Sequence, residues 1–513
     1  MDRRDFLADV ARAAALCAVI PNGWRVTLRP RFVDDPFTLG VASGDPTPTG
    51  GVLWTRLAPR PLEPDAGMGG VRSVVSWQLA DDEKFANVVK QGRATAAPEL
   101  GHSVHVDVDG LAPDRWYFYR FTAGEATSPV GRFRTAPAAD ATTPLRFAFA
   151  SCQQFETGYF TAYDHVAREN LDLVTHLGDY IYEYSPSANG VRKHANAEVR
   201  DVDGYRIRYA QYKTDTALQA AHALCPWLVI WDDHEVDNNY AGLVGENVME
   251  SVEQMRMRRA AAYQAWWEHQ PVRVPRAQSW ADLKITRAID WGSLARFYML
   301  DGRQYRDDQA CGDGTKPVPC GEWSDPKRTM LGEAQERWLI DGLAGSKSRW
   351  QVLANQVMMA PFDSAAGPET RVSMDQWSGY PFARDRLLGA IAKHAPNRTV
   401  VVTGDIHSNW VNELHADFAR PDRPVVAAEF VGTSITSGGD GSDRNAMATP
   451  GLMSDNPHVK WQNSRRGYVS CVVSPDNWVA EYKTVAYVTK PGAPVDTPTK
   501  WRLERGRPGI QTA

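Results

Sequence analysis

An α/β architecture preceded by an all-β domain is what this chain predicts, and three observations carry the prediction. Four runs suited to buried parallel strands end on metal-binding side chains. LRFAFAS (145 to 151) delivers Cys152, LDLVTHL (171 to 177) leads into Gly178-Asp179, PWLVIW (226 to 231) into Asp232-Asp233-His234, and TVVVT (399 to 403) into Gly404-Asp405. In open α/β sheets, ligands gather beyond the carboxyl ends of such strands, where loops from distant parts of the sequence converge. Strand and helix patterns alternate from 145 to 486, whereas 36 to 137 holds only short alternating runs such as GVLWTRL, SVVSWQL and WYFYRFTA, separated by turn clusters. At 513 residues the chain also exceeds what one core serves, so two domains are the default.

Taken in order, residues 1 to 30 read as a twin-arginine signal region, with Met1-Asp2-Arg3-Arg4-Asp5-Phe6-Leu7 before the weakly apolar ADVARAAALCAVI. That stretch is too short and too charged to span a bilayer, so no transmembrane anchor is expected there; an amphipathic helix is the competing reading. Twin-arginine machinery exports folded proteins, so the expected location is periplasmic or secreted. In the 36 to 137 domain, LAPDRWYFYRF followed by GRFRTAP resembles the end of a fibronectin type III domain, where a tyrosine packs the corner of a β-sandwich. PAADATTP (137 to 144) serves as the linker to a catalytic domain over 145 to 486. The Pro-rich, polar segment 487 to 513 reads as a surface tail or strap.

Composition narrows the function. With 43% apolar and 23% charged residues the chain is an ordinary globular protein. Its net charge of −5 gives no general pull toward nucleic acid or anionic membrane, so an anionic substrate must be drawn by local cations. Six cysteines are too few for a disulfide framework, although Cys311 and Cys320 bracket the turn-rich GDGTKPVP and could close a ring in an oxidising compartment. Cys225 and Cys471 read as core.

The loops themselves carry the chemistry. Asp179 follows a glycine that lets the chain turn off its strand, and its two oxygens can bridge two cations. If the loop makes one helical turn, Tyr182 lands on the same side, and a phenolate is a hard anionic ligand suited to Fe3+. Alone, GDYIY reads as well as a Gly-Asp turn with a packing aromatic. WDDHE puts two acids and a histidine behind a very apolar strand, where unpaired charge is costly. Asp232 or Asp233 then suits a metal and His234 a general acid or transition-state contact at the leaving group, while a helix N-cap is the plainer alternative. In GDIH, an extended backbone would turn Asp405 and His407 to one face. Cys152 ends a buried strand, where plain packing is the alternative; as a thiolate it needs positive charge nearby, which a multi-metal site provides.

These residues resemble the alkaline phosphatase D (PhoD) family of calcineurin-like metallophosphoesterases. The resemblance lies in FTLGVASGDPTPTGGVLWTRL (37 to 57), FASCQ, THLGDYIYEY, the YRIRYAQYKTDTALQAAHALCPWLVIWDDHEVDNN block, LDGRQYR and VVTGDIHSNW, and it spans residues 37 to 486. It implies an αββα metallophosphoesterase sandwich behind the N-terminal β-sandwich. The wider superfamily uses D-x-[HG], GDxxY, GNH[DE], a histidine ending a later strand, and GHxH. Here Cys152 stands for the first acid, Asp179 and Tyr182 match GDxxY, Asp233-His234 stand for Asn-His, Asn355 ends the later strand WQVLAN, and Asp405 and His407 replace the two histidines.

The resemblance therefore implies Fe3+ held by Cys152, Asp179, Tyr182 and His407, and an oxygen-rich site of Asp179, Asp233, Asn355 and Asp405 that prefers Ca2+. The implied activity is hydrolysis of phosphate monoesters, with capacity for diesters, by metal-activated water or oxo attack with His234 aiding the leaving group. A phospholipase D-like diesterase acting on phospholipid head groups is the runner-up, and a noncatalytic metal-binding exported protein the third reading. Asn238, Arg206, Arg208, Arg303 and Arg306 are candidate substrate contacts, each with a structural ion-pair or turn role as its alternative.

Overall fold

The computed structural model describes residues 26–27 and 30–513 apart from 248, 421, 422 and 444, so the twin-arginine motif and the apolar stretch behind it lie outside the described residues. Among the described residues, two large mixed sheets face each other. One has ten strands, with Leu145–Ala150, Leu173–His176 and Trp227–Val229 parallel at its centre. The other has eight, with Ala295–Met299, Trp350–Ala354, Thr399–Thr403 and Val425–Val431 parallel. Parallel strands covered on both faces must be apolar throughout, and Trp350–Ala354 and Thr399–Thr403 are buried at every position.

Aromatic side chains lock the two sheets together. Phe147 of the first sheet meets Phe297 of the second edge-on at 5.3 Å and Trp478 of its own at 5.4 Å, and Trp350 meets Trp478 at 5.9 Å. Helices close the outer faces. Gly332–Gly345 and Pro381–His394 set Leu339, Leu343, Leu387 and Ile391 against Leu353 and Val401 of the eight-stranded sheet. On the other side, Thr216–Leu224 and Val252–His269 bury Leu218, Tyr263 and Trp266 in the central core. The αββα sandwich follows from these layers.

The N-terminal β-sandwich is present, and Tyr117 makes its corner, its hydroxyl accepting from the backbone N–H of Ala112 at 3.1 Å. It is not a free-standing unit. Strands Val41–Thr47, Gly50–Arg56 and Ser103–Val108 extend the ten-stranded sheet, through the pairing of Gly44 with Trp227, and Arg72–Ala80, Val88–Ala96, Trp116–Ala123 and Gly131–Arg134, with the two-residue strands Val26–Thr27 and Ala126–Thr127, form the opposing layer. Gly44 is required at this junction, because a Cβ there would lie 2.2 Å from the Pro271 carbonyl oxygen. The segment read as a tail is likewise part of the sheet: Val495–Glu504 pairs antiparallel with Asn477–Val485 and buries Trp501 and Leu503. Its prolines hid the alternation of Thr497, Thr499, Trp501 and Leu503.

One ion pair fastens the sandwich to the catalytic sheets. Asp45 is fully buried, and Arg287 grips both its oxygens at 2.9 and 2.8 Å while the Arg273 backbone N–H donates at 2.7 Å. Removing one partner of a buried pair leaves the other uncompensated. Asp45→Ala should therefore cost about 3 kcal/mol of stability, read as a lower urea midpoint with the slope unchanged; a midpoint equal to wild type would show that the pair contributes nothing.

Candidate functional site

Cys152, Asp179, Asp233, Asp405 and His407, drawn from four strand ends, converge beyond the carboxyl edges of the two sheets. Ligand atoms lie within 4.8 Å of one another in each of three overlapping groups: Cys152 with Asp179 and His407, Asp179 with Asp233 and His234, and Asp232 with Asp233 and Asp405. Asp179 and Asp233 each belong to two groups, so the three form one continuous site. Tyr182 joins it, donating its hydroxyl to Asp179 Oδ2 at 2.9 Å with His407 Nε2 3.2 Å away.

The backbone that achieves this differs from the expectation. Asp179 and Tyr182 meet through a left-handed kink at Asp179 (φ 55°) rather than a helical turn, and GDIH is not extended, since Asp405 (65°) and His407 (53°) both take left-handed conformations, as does Cys152 (59°). Such backbone is costly for residues with a Cβ and persists only where surroundings over-determine it. Glu235 supplies part of that determination. Its carboxylate accepts from the N–H groups of Asp179 (3.0 Å), Tyr180 (2.7 Å) and Asp232 (2.8 Å), clamping two ligand loops to each other.

Charge is the site's dominant feature. Arg303, fully buried, donates to Asp232, to both oxygens of Asp375 (2.7 and 3.2 Å) and to Asp405 (3.2 Å), with Asp233 at 3.6 Å. Arg306 adds a further bond to Asp375 Oδ1 at 2.7 Å. Five carboxylates thus face two guanidinium groups, and one oxygen each of Asp179, Asp232 and Asp233 has no hydrogen-bond partner though buried. Burial, against the opposing charge of His234, and the neighbouring carboxylates push the Asp179 carboxyl well above its usual range; burial does the same to Asp232 against the pull of Arg303. Burial and Asp375 raise Asp405 to about 7. Asp233 goes the other way, because Arg303 and His234 outweigh its burial. Burial, then Asp179, hold the Cys152 thiol and Tyr182 phenol protonated, while burial and Arg466 lower His407 to about 3 and keep it a neutral imidazole. Buried oxygens without partners among crowded acids are the donor set that cations fit.

His234 lies at the rim of this cluster. Its Nδ1 is 2.8 Å from Glu183 Oε2, its ring stacks on Tyr182 at 4.0 Å, and Tyr184 packs against it edge-on. Burial opposes its protonation, but Glu183, Asp233 and Asp179 together raise it well above an ordinary histidine. With Nδ1–H given to Glu183, the ring is fixed in orientation and charged, which is what a proton donor requires.

Several expected contacts are engaged by other partners. Asn355 ends its strand as anticipated, but its amide donates to the Val357 carbonyl and accepts from Trp377 Nε1, so both halves are used in shaping that turn. Arg206 is bound through two nitrogens to the buried Glu268, and Arg208 gives its donors to Tyr182, Tyr184, Asn196 and Ala197 backbone carbonyls and to Asn196 Oδ1. Asn238 is held by Glu183 and Glu246, and its neighbour Asn239 is the one that donates its N–H to Asp233 Oδ2 at 2.7 Å. Of the named substrate contacts, Arg303 alone donates to the cluster itself; Arg306 reaches it through Asp375.

Sequence reasoning missed Asp375, Gln376, Glu183 and Glu235. Gln376 donates to Asp405 Oδ2 at 2.5 Å. Asp375 and Gln376 follow strand Thr370–Ser373, whose partner Thr315–Val318 lies in the loop closed by a Cys311–Cys320 disulfide. No buried apolar run precedes them, so the signal that exposed the other loops was missing. Glu183 and Glu235 stood inside the quoted motifs, where adjacency to Tyr182 and His234 was the available clue.

Among the described residues no helix is long and apolar enough to cross a membrane. Residues 147–482 match the family model described as PhoD-like phosphatase, and residues 23–137 match that of the PhoD-like phosphatase N-terminal domain. The chain is 46% identical over 521 residues to alkaline phosphatase D of Bacillus subtilis (strain 168), covering 99% of this chain and 89% of that protein. A solved structure of PhoD is similar with a TM-score of 0.91 at 48% identity, covering 94% of this chain and 93% of the other. A purple acid phosphatase from yellow lupin (Lupinus luteus) seeds shares the fold alone, with a TM-score of 0.57 at 12% identity over 92% of this chain and 75% of its own. Two domain matches that together span most of the sequence, and the extent of identity with alkaline phosphatase D, show that the chain belongs to the PhoD-like phosphatase family.

Proposed function

We propose that this protein is an exported, metal-dependent phosphoric ester hydrolase that acts on phosphate monoesters in the manner of alkaline phosphatase D. The observation that carries the reading is the continuous group of ligand atoms that shares Asp179 and Asp233. Cys152, Asp179, Tyr182 and His407 would hold Fe3+, since a thiol and a phenol kept protonated by burial and Asp179 would give up their protons to solvent only in exchange for a cation of high charge. Asp179, Asp233 and Asp405 offer oxygen alone, a set that suits Ca2+. Bound there, the cations supply Lewis acidity, drawing charge from phosphoryl oxygens and acidifying water.

The chain's own residues do the rest. His234, charged and oriented by Glu183, stands where it can protonate the departing alkoxide. Arg303 keeps Asp232, Asp233 and Asp405 from repelling one another while the site is being filled. A merely metal-binding protein has no use for the Glu183–His234 pair. The twin-arginine motif and the Cys311–Cys320 disulfide both agree with export to an oxidising compartment.

Elemental analysis of exported protein, with rates on a monoester, a diester and phosphatidylcholine, tests cluster and substrate class together. Iron and calcium with fastest turnover of the monoester are expected; a chain free of both metals would refute the cofactor assignment, and preference for phosphatidylcholine would favour the lipid diesterase. Stripping the metals with EDTA should abolish turnover, and adding them back should restore it.

His234→Ala should lower kcat by about 100-fold or more while metal content stays at the wild-type level. An unchanged rate would remove His234 from the mechanism.

A further inference from the structure

We propose that Ser437 is a positioning residue for the thiolate and phenolate half of the site, its hydroxyl donating to the Tyr182 oxygen and fixing it where a cation would be held. The inference rests on the metal reading above. Ser437 Oγ lies 2.6 Å from the Tyr182 hydroxyl oxygen and 2.7 Å from the Cys152 carbonyl oxygen, and it accepts the Gln154 N–H at 3.2 Å. One hydroxyl proton cannot serve two oxygens at once. While Tyr182 is a phenol, it donates its own proton to Asp179, and the Ser437 proton is free to go to the Cys152 carbonyl. When a cation binds, the phenol proton leaves to solvent. The phenolate then becomes the stronger acceptor of the two, because a hydrogen bond to an ionised oxygen is roughly twice as strong as one to a neutral oxygen. The serine proton turns toward it, at a distance already set.

The segment that carries Ser437 is built to stay there. The N–H groups of Thr436 and Ser437 both donate to the Cys152 carbonyl, at 3.3 and 3.2 Å, and Thr436 Oγ1 donates to the Gln154 carbonyl at 2.8 Å. Ser434 Oγ closes the turn onto the Ser437 carbonyl at 2.7 Å. Arg466, only 6% exposed, then ties this turn to the opposite side of the site. Its guanidinium donates to Ser434 Oγ (2.8 Å), to the Gly439 carbonyl (3.0 Å) and to the carbonyl of His407 (2.5 Å). The same cation therefore fixes the left-handed His407 and the Ser437 turn relative to each other, with Cys152 and Tyr182 between them. Packing alone would not require a hydroxyl aimed at the one atom of Tyr182 that can bind a metal.

The test compares protein loaded with Fe3+ and Ca2+ as wild type, Ser437→Ala, Ser437→Thr and Ser434→Ala. In Ser437→Ala the phenolate-to-iron charge-transfer band should move to longer wavelength, since a phenolate without its hydrogen bond yields an electron more readily, and iron should be lost to EDTA about 10-fold faster. Ser437→Thr keeps the hydroxyl and should restore both values. Ser434→Ala, which removes one bond holding the turn but keeps the Ser437 hydroxyl, should move the band less than Ser437→Ala does. A band and a release rate unchanged in Ser437→Ala overturn the inference and leave the metal reading standing, whereas wild-type protein that takes up neither metal overturns both. Should Ser437→Ala fail to fold, resonance Raman spectra of the wild type decide the matter: the Tyr182 C–O stretch should shift on exchange into D2O, and the absence of a shift would overturn the proposal.

Discussion

Five carboxylates crowded beyond the ends of two sheets are the constraint on which the rest of this structure depends. Each unpaired buried carboxylate costs several kcal/mol, far more than the one or two that a single hydrogen bond returns. Arg303 and Arg306 answer only part of that charge, and oxygens of Asp179, Asp232 and Asp233 are left without partners. A fold selected for stability alone would not retain such a group. Its retention makes sense where cations complete it, and the arrangement of donors then sorts them, with sulfur, phenol and imidazole on one side and carboxylate oxygen on the other.

Holding that group together falls to the backbone as much as to side chains. Cys152, Asp179, Asp405 and His407 are all left-handed, which turns their side chains inward immediately after straight strands. The cost of those conformations is met by bonds from outside the ligand set. Glu235 grips the loops of Asp179 and Asp232, Gln376 grips Asp405, and Arg466 grips the His407 carbonyl. Behind them, the Trp and Phe contacts between the two sheets keep the strand ends at fixed separation, so the loops have little freedom to relax when the site is empty of charge balance. The N-terminal sandwich contributes in the same way, through the Asp45–Arg287 pair and its shared sheet.

Much of this was legible in the sequence, for identifiable reasons. Buried parallel strands produce uninterrupted apolar runs, so the polar residue that ends each run stands out; that is how Cys152, Asp179, Asp233 and Asp405 were found. Local geometry was less legible, because left-handed φ at an aspartate or histidine leaves no mark in composition, and the helical turn at GDYIY and the extended GDIH were both replaced by kinks. Arginines misled for a physical reason: the same guanidinium that binds phosphate also binds carboxylate and carbonyl oxygens, and Arg206 and Arg208 are spent on Glu268 and on backbone carbonyls. Asp375 escaped because it follows a short, half-exposed strand. The strand Val495–Glu504 escaped because the prolines in and before it resemble a loop.

The central claim is that cations occupy the space between Cys152, Asp179, Asp233 and Asp405. Anomalous diffraction from crystals of the metal-loaded protein, recorded on either side of the iron edge and at long wavelength for calcium, tests it most directly. The account predicts an iron peak within bonding distance of Cys152 Sγ and the Tyr182 oxygen, and a calcium peak among the carboxylates of Asp179, Asp233 and Asp405. No anomalous signal at these positions in fully loaded, active protein would contradict it.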